Sequence, residues 1–203
     1  MISSGEAAER AGARLKNMSP HPQGSFAVAP GPAGLPVATA EGAVTALYQA
    51  HALGMIRLAH IMLGDRASAE DVVQEAFYGL YRRWSTLADT GSAIAYVRSS
   101  VLNGCRSVLR RRSRARSQAD GQQAEPPPGI SAEAAAITIE ERQQVLRALR
   151  RLPPRQREAL VLRFYLDLSA EESAATMGIG PGSVRSAIHR GLESLGRMLQ
   201  EQS

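Results

Sequence analysis

Apolar residues along the chain recur at the 3.6-residue period of a helix, and no segment shows convincing alternation of the kind a half-buried strand requires. From about Val44 to Leu63 the repeating positions are Val44, Leu47, Tyr48, Met55, Leu58 and Met62. Gly64-Asp65 predicts a turn, after which helical patterning resumes from about Ala69 to Trp84 and again from about Ser92 to Arg112. These segments predict a three-helix unit. Residues 113–130 are polar and contain Pro126-Pro127-Pro128-Gly129, a run that no helix interior or core strand tolerates. A second helical module is predicted from about Ala132 to Gln202, punctuated by Pro153-Pro154 and by Gly178-Ile179-Gly180-Pro181-Gly182. Residues 17–43 carry Pro20, Pro22, Pro30, Pro32 and Pro36 without any periodicity that could bury a face, so a disordered extension is expected over 1–42. The expected class is all-α: two small helical domains, 43–112 and 136–203, joined by a flexible linker, 113–135, the C-terminal one a helix-turn-helix.

On a helical wheel, Ala69, Val72, Val73, Ala76, Phe77, Leu80 and Trp84 share an arc of about 140° and form a core face. The opposite arc collects Asp71, Gln74, Glu75, Tyr78 and Arg82. Such a stripe is either an ordinary solvated face or a docking face for a basic partner helix. Acid-base catalysis is disfavoured, because the carboxylates sit on an open helix with no nucleophile nearby. The next helix buries Ile94, Val97, Val101, Cys105 and Val108, which leaves Arg98, Asn103, Arg106 and Arg110 for its other surfaces. With Tyr96 as a stacking ring and Asn103 as an amide for a base edge, this helix has the tools for unstacked nucleic acid. Cys105 lies on the apolar side, as a small core residue does.

The sharpest local signal begins at Ser169, an N-cap residue with Glu172 three positions on to complete a capping box. The helix predicted there is closed by Gly178, and a short turn leads to a second helix, making a helix-turn-helix. On that second helix Val184, Ile188, Leu192, Leu195 and Leu199 form the buried stripe. Ser183, Arg185, Ser186, His189 and Arg190 face outward near its N-terminal end, where a recognition helix meets the major groove.

Composition adds to this picture at three points. The 203 residues are 44% hydrophobic but only 4% aromatic, so the core must be built from aliphatic residues that favour helices. The formal charge of +5 is unevenly placed: the seven Arg from Arg98 to Arg116 have no acid among them. That stripe suits a polyanion, with a solvated Arg run as the alternative. Cys105 is the sole cysteine and the four histidines are scattered, so neither a disulfide framework nor a metal centre is expected, and no cofactor is called for. The sequence shows neither a signal-peptide pattern nor an apolar stretch of membrane-spanning length, so a cytoplasmic protein without a membrane association is expected.

Taken in order, the motifs resemble the extracytoplasmic-function (ECF) class of the sigma-70 family of bacterial transcription initiation factors. Gly64-Asp65 with Ala69-Glu70-Asp71-Val72-Val73-Gln74-Glu75-Ala76-Phe77 resembles the family's core-polymerase-binding stretch. Ala95-Tyr96-Val97-Arg98 through Asn103 and the Arg-rich tail resembles the segment that melts and reads the minus-ten element. Leu152-Pro153, Arg155-Gln156-Arg157-Glu158 and the helix-turn-helix resemble the domain that reads the minus-thirty-five element. The resemblance covers about residues 43–200, and Tyr96, Leu87-Ala88-Asp89 and the Arg-rich composition point to an actinobacterial subgroup. It implies that Asp71, Gln74, Glu75 and Tyr78 meet the coiled-coil of the polymerase largest subunit and that the flap is a further contact. Tyr96, Arg98, Asn103, Arg106 and Arg110 would hold minus-ten DNA, and Ser183, Arg185, Ser186, His189 and Arg190 would read the minus-thirty-five duplex. A monomer with no enzymatic activity is implied, with an anti-sigma protein as a further partner. The alternatives are a stand-alone helix-turn-helix repressor or activator, which would be a dimer on a palindrome, and a protein-interaction adaptor without DNA affinity.

Overall fold

The computed structural model describes residues 4–17, 40–87, 90–118 and 135–201. All regular structure among them is helical: α1 (Ser4–Asn17), α2 (Ala40–Leu63), α3 (Arg66–Arg83), α4 (Thr90–Gln118), α5 (Ala135–Arg151), α6 (Pro154–Leu160), α7 (Ala170–Met177) and α8 (Pro181–Gln200). A 3-10 turn, Trp84–Thr86, follows α3, and a π-helical turn, Val161–Tyr165, continues α6.

In the first module, α2, α3 and α4 pack around Met55, Leu58, Met62, Val73, Leu80, Ile94, Val97 and Leu102, all nearly or wholly buried. The turn between α2 and α3 follows directly from its two residues. Gly64 adopts φ +76°, a left-handed conformation that costs glycine nothing, and donates its N–H to the His60 carbonyl at 2.8 Å. Asp65 is extended and caps α3, accepting from the amides of Ala67 at 3.3 Å and Ser68 at 3.0 Å. Hydrogen bonds from Ser68 hold the Asp65 carboxyl below the usual carboxylate range, with the Arg112 charge adding to them. Arg112 fastens this turn to α4, donating to the Leu63 carbonyl at 2.9 Å and to Ser68 Oγ at 2.9 Å. Cys105 is fully buried, and burial with the nearby Glu158 carboxylate pushes its thiol up to about 12. It is a small protonated core residue, as expected.

The second module comprises α5 to α8. Pro154 opens α6 at a position where a missing N–H is harmless. Ser169 Oγ accepts from the Glu172 amide at 3.0 Å while the Glu172 carboxylate accepts from the Ser169 amide at 2.8 Å, the reciprocal capping box read from the sequence. Gly178, at φ +70°, ends α7 and donates to the Ala174 carbonyl at 2.9 Å. On α8, Val184, Leu195 and Leu199 are buried, whereas Ile188 and Leu192 are only half-buried. Ala187 and Gly191 take the inner seats beside them, because α6 approaches so closely that a Cβ on Gly191 would lie 3.1 Å from the Leu160 side chain.

Two expectations need correction. The extension expected to be disordered over residues 1–42 contains a regular helix, Ser4–Asn17, whose Ala7, Ala11 and Leu15 are buried. The segment is rich in Ala, Glu and Arg, good helix formers, and the prolines begin only after it; residues 18–39 lie outside the described ones. The linker expected over 113–135 is shortened at both ends, since α4 runs on to Gln118 and α5 starts at Ala135; residues 119–134 lie outside the described ones. The two modules pack side by side, α2 against α5 and α4 against α7, and their buried side chains form one continuous apolar cluster. Among the described residues no helix is long and apolar enough to cross a membrane.

Because the capping box satisfies two backbone donors at the start of α7, Ser169→Ala is expected to lower unfolding free energy by about 1 kcal/mol. Ser169→Thr should keep most of it, both read by urea denaturation.

Candidate nucleic-acid and polymerase interface

Three surfaces carry the residues singled out by sequence. On α3, Val72, Val73, Ala76, Phe77 and Leu80 face the core, so Asp71, Gln74, Glu75 and Tyr78 all point outward and are exposed. Tyr78 is 58% and Tyr81 49% exposed, and the Arg82 guanidinium lies 6.0 Å from the centre of the Tyr78 ring. Two exposed aromatic rings thus stand beside the carboxylates of the stripe.

On α4, Tyr96 is half-buried with the Arg83 guanidinium 5.8 Å from its ring centre, a cation-π arrangement. Asn103 and Arg110 are exposed. A groove between α3 and α4 is lined by Asp71 and Glu75 on one wall and by Tyr96, Ser100, Asn103 and Arg111 on the other. The carboxylate stripe and the candidate base-stacking ring therefore share one groove.

On α8, Ser183, Arg185, Ser186, His189 and Arg190 are all exposed along the N-terminal half. Arg185 pairs with Glu171 of α7 at 3.2 Å and His189 lies 3.7 Å from Glu193. Both contacts are solvent-exposed and therefore worth little, so either side chain can exchange to phosphate or a base edge at small cost.

The modules meet at an ion pair between a half-buried arginine and a buried glutamate. Arg106 of α4 donates from Nε to Glu158 Oε1 at 2.8 Å and from Nη2 to Oε2 at 2.6 Å. Glu158 is 1% exposed. Arg106 Nη1 also donates to Asn103 Oδ1 at 2.9 Å. Next to this pair, Arg157 is buried and donates to the Met62 carbonyl at 3.0 Å and the Leu152 carbonyl at 3.1 Å. Burial, aided by the Arg150 charge, lowers the Arg157 pKa, with Glu158 opposing.

The sigma-70 region 2 family matches residues 47–115, and the sigma-70 region 4 family matches residues 142–195. The RNA polymerase sigma-E factor of Streptomyces coelicolor is 33% identical over 141 residues, covering 70% of this chain and 77% of that protein. The ECF RNA polymerase sigma factor SigE of Mycolicibacterium smegmatis is 33% identical over 159 residues, 77% of this chain and 62% of that one. The chain belongs to the ECF class of the sigma-70 family. Two solved structures share its fold. The sigma factor RpoE from Bartonella quintana, in complex with the anti-sigma factor NepR, has a TM-score of 0.62 at 24% identity and covers 76% of this chain and 96% of its own. CnrH in complex with the cytosolic domain of CnrY has a TM-score of 0.58 at 17% identity, covering 97% and 99%.

Within this ECF sigma factor, the structure brings the α3 stripe onto one open face and the α8 set onto another, as expected from periodicity. It differs for Arg98, which the sequence pattern put on an outer surface. Arg98 is only 7% exposed, because it lies on the packed side of α4, one helical turn from the buried Ile94, Val101 and Leu102. Burial lowers its pKa, with the Glu172 charge opposing, and its charge in turn lowers that of His51 on α2. Arg106 is likewise occupied rather than open. Sequence reasoning assigned no role to Arg155 and Gln156, yet these line a groove with Ser183, Ser186 and Arg190 of α8. Their place in the Arg155-Gln156-Arg157-Glu158 run was the available signal, but only the α6–α8 packing turns it toward the recognition helix.

Arg106→Ala leaves the Glu158 carboxylate buried without its cation, so a loss of about 3–5 kcal/mol in urea unfolding is expected. Adding Glu158→Gln should recover most of that loss, since the remaining amide is uncharged.

Proposed function

We propose that this ECF sigma factor binds core RNA polymerase and directs it to promoters by recognising minus-thirty-five and minus-ten elements, assisting melting at the second. The observation that carries the reading is one chain holding an exposed Ser183, Arg185, Ser186, His189 and Arg190 set on a helix-turn-helix and an exposed Asp71, Gln74, Glu75 and Tyr78 stripe on another helix. A regulator that only binds DNA has no use for the second surface. In this reading the α3 stripe docks on a basic coiled-coil of the largest subunit, the second module also meets the flap, and α8 enters the major groove of the upstream element. Arg185 and Arg190 supply forks for guanine edges, and Ser183, Ser186 and His189 contact bases or phosphate. Arg155, beside α8, adds a phosphate contact.

At the minus-ten element Tyr96 stacks on an unpaired base, Asn103 reads an edge, and Arg98, Arg106 and Arg110 hold phosphates, so that captured bases repay the cost of unpairing. Arg106 reaches DNA only after the modules part, because its donors are taken up by Glu158 of the other module, and Arg98 only once its burial is relieved. The linker spans the distance between the two elements. The protein acts as a monomer beside polymerase in the cytoplasm, performs no covalent step, and needs neither metal nor cofactor. The two solved neighbours were each captured with another protein, and an anti-sigma partner is proposed for this chain on that likeness.

Run-off transcription from genomic DNA with purified core polymerase, with and without the protein, tests the reading: new start sites sharing two dissimilar upstream elements are expected. Absence of starts from a protein that binds a palindrome as a dimer would favour the stand-alone regulator. Replacing Gln74 and Glu75 together with Ala should abolish co-elution with core polymerase while leaving the thermal unfolding midpoint in place, since both are exposed. Arg185→Ala should cost about 1–3 kcal/mol at the upstream element and relax base preference there; a uniform loss across sequences would make Arg185 a phosphate contact.

A further inference from the structure

The amphipathic helix α1 precedes the first module in the chain but packs on the second. Ala7, Ala11 and Leu15, at four-residue steps, are buried while Glu6, Glu9, Arg10 and Lys16 remain exposed. The groove that receives it is made by the C-terminal half of α8 and the π-helical turn. Its shape is specific to a helix. A Cβ on Gly196 would stand 2.8 Å from the Ala7 backbone, so only glycine there lets α1 come this close. On the other side, Gly12 faces the Phe164 ring and Leu192 with just enough room for one methyl group, at 3.5 and 3.7 Å. The seat leaves Ser183, Arg185, Ser186, His189 and Arg190 uncovered.

We propose that this groove is a helix-docking surface whose occupant is α1 of the same chain, and that its occupation clasps the two modules together. The connectivity supplies the mechanism. Asn17 is joined to α2 of the first module through residues 18–39, so an α1 seated on α8 ties the second module back to the first. Such a tether raises the local concentration of one module at the other. It therefore favours the arrangement in which Arg106 is paired with Glu158. Release of α1 favours parted modules, with Arg106 available. The docking itself stands independently of the promoter-recognition reading, and only the polymerase readout below rests on that reading.

Variants of opposite sign test it in the full-length protein. Ala11→Glu puts a charge against the groove and loosens the clasp. Gly12→Ala fills the available space and removes a glycine from a helix interior, so it tightens the clasp. Fluorophores on Arg66→Cys and Gln200→Cys, both at exposed positions, report the separation of the modules, while the protonated, buried Cys105 stays unlabelled. Ala11→Glu is expected to lengthen the mean separation and strengthen core-polymerase binding by about threefold or more. Gly12→Ala is expected to do the reverse. A synthetic peptide of residues 1–17, which fills the groove without being joined to α2, should lengthen the separation in the unmodified protein by displacing α1 and leave that of Ala11→Glu long, which excludes simple misfolding as the cause. An unchanged separation in both variants overturns the proposal, whatever polymerase does. A helix that merely stabilises the second module would give weaker binding in Ala11→Glu and no loss in Gly12→Ala, which also overturns it. Failure of the unmodified protein to bind polymerase would count against the sigma-factor reading alone, since the separations still decide the docking.

Discussion

Burying the Glu158 carboxylate in an apolar junction demands a cation with two well-aimed donors, and the chain supplies it from the opposite module as Arg106. A carboxylate so enclosed would otherwise cost several kcal/mol of lost hydration. The neighbouring Arg157 meets the same demand in reverse, giving its donors to the carbonyls of Met62 and Leu152 at the ends of helices. Two adjacent residues of α6 thus face α4 and the end of α2, and the apolar cluster closes around them. These directional contacts fix how the modules sit, because hydrophobic contact alone would tolerate many relative orientations.

The pairing also sets a conflict between packing and function. Arg106 cannot neutralise Glu158 and a DNA phosphate with the same donors, and Arg98 is buried in this packing. The recognition helix is under no such constraint, since its outward side chains make only exposed pairs such as Arg185 with Glu171. The α3 stripe is equally open. The two helical surfaces that would meet partners first are therefore available in the packed arrangement, while the groups suited to unpaired bases are partly withheld. On the proposed reading, access of DNA to α4 follows from separation of the modules, a bistable arrangement of the kind that ligands shift by differential contact.

Short-range geometry is legible in the residues alone. Gly64 supplies a left-handed residue and Asp65 a cap within two positions, Ser169 and Glu172 close a capping box across one turn, and Gly178 stops α7. The 3.6-residue stripe fixed which side of α3 and of α8 is dry, and so exposed Asp71, Gln74, Glu75, Tyr78, Arg185 and His189 to solvent. Such signals act within a turn or two of helix and need no knowledge of the rest of the chain. Only the tertiary structure decided which helices meet. The four-residue steps of Ala7, Ala11 and Leu15 are too small and too few to announce a buried face until the glycine at 196 offers them a seat. Nothing local pairs Arg106 with Glu158, 52 positions away. An arginine meets so distant a carboxylate only where their helices come together, and that meeting is a property of the assembled core.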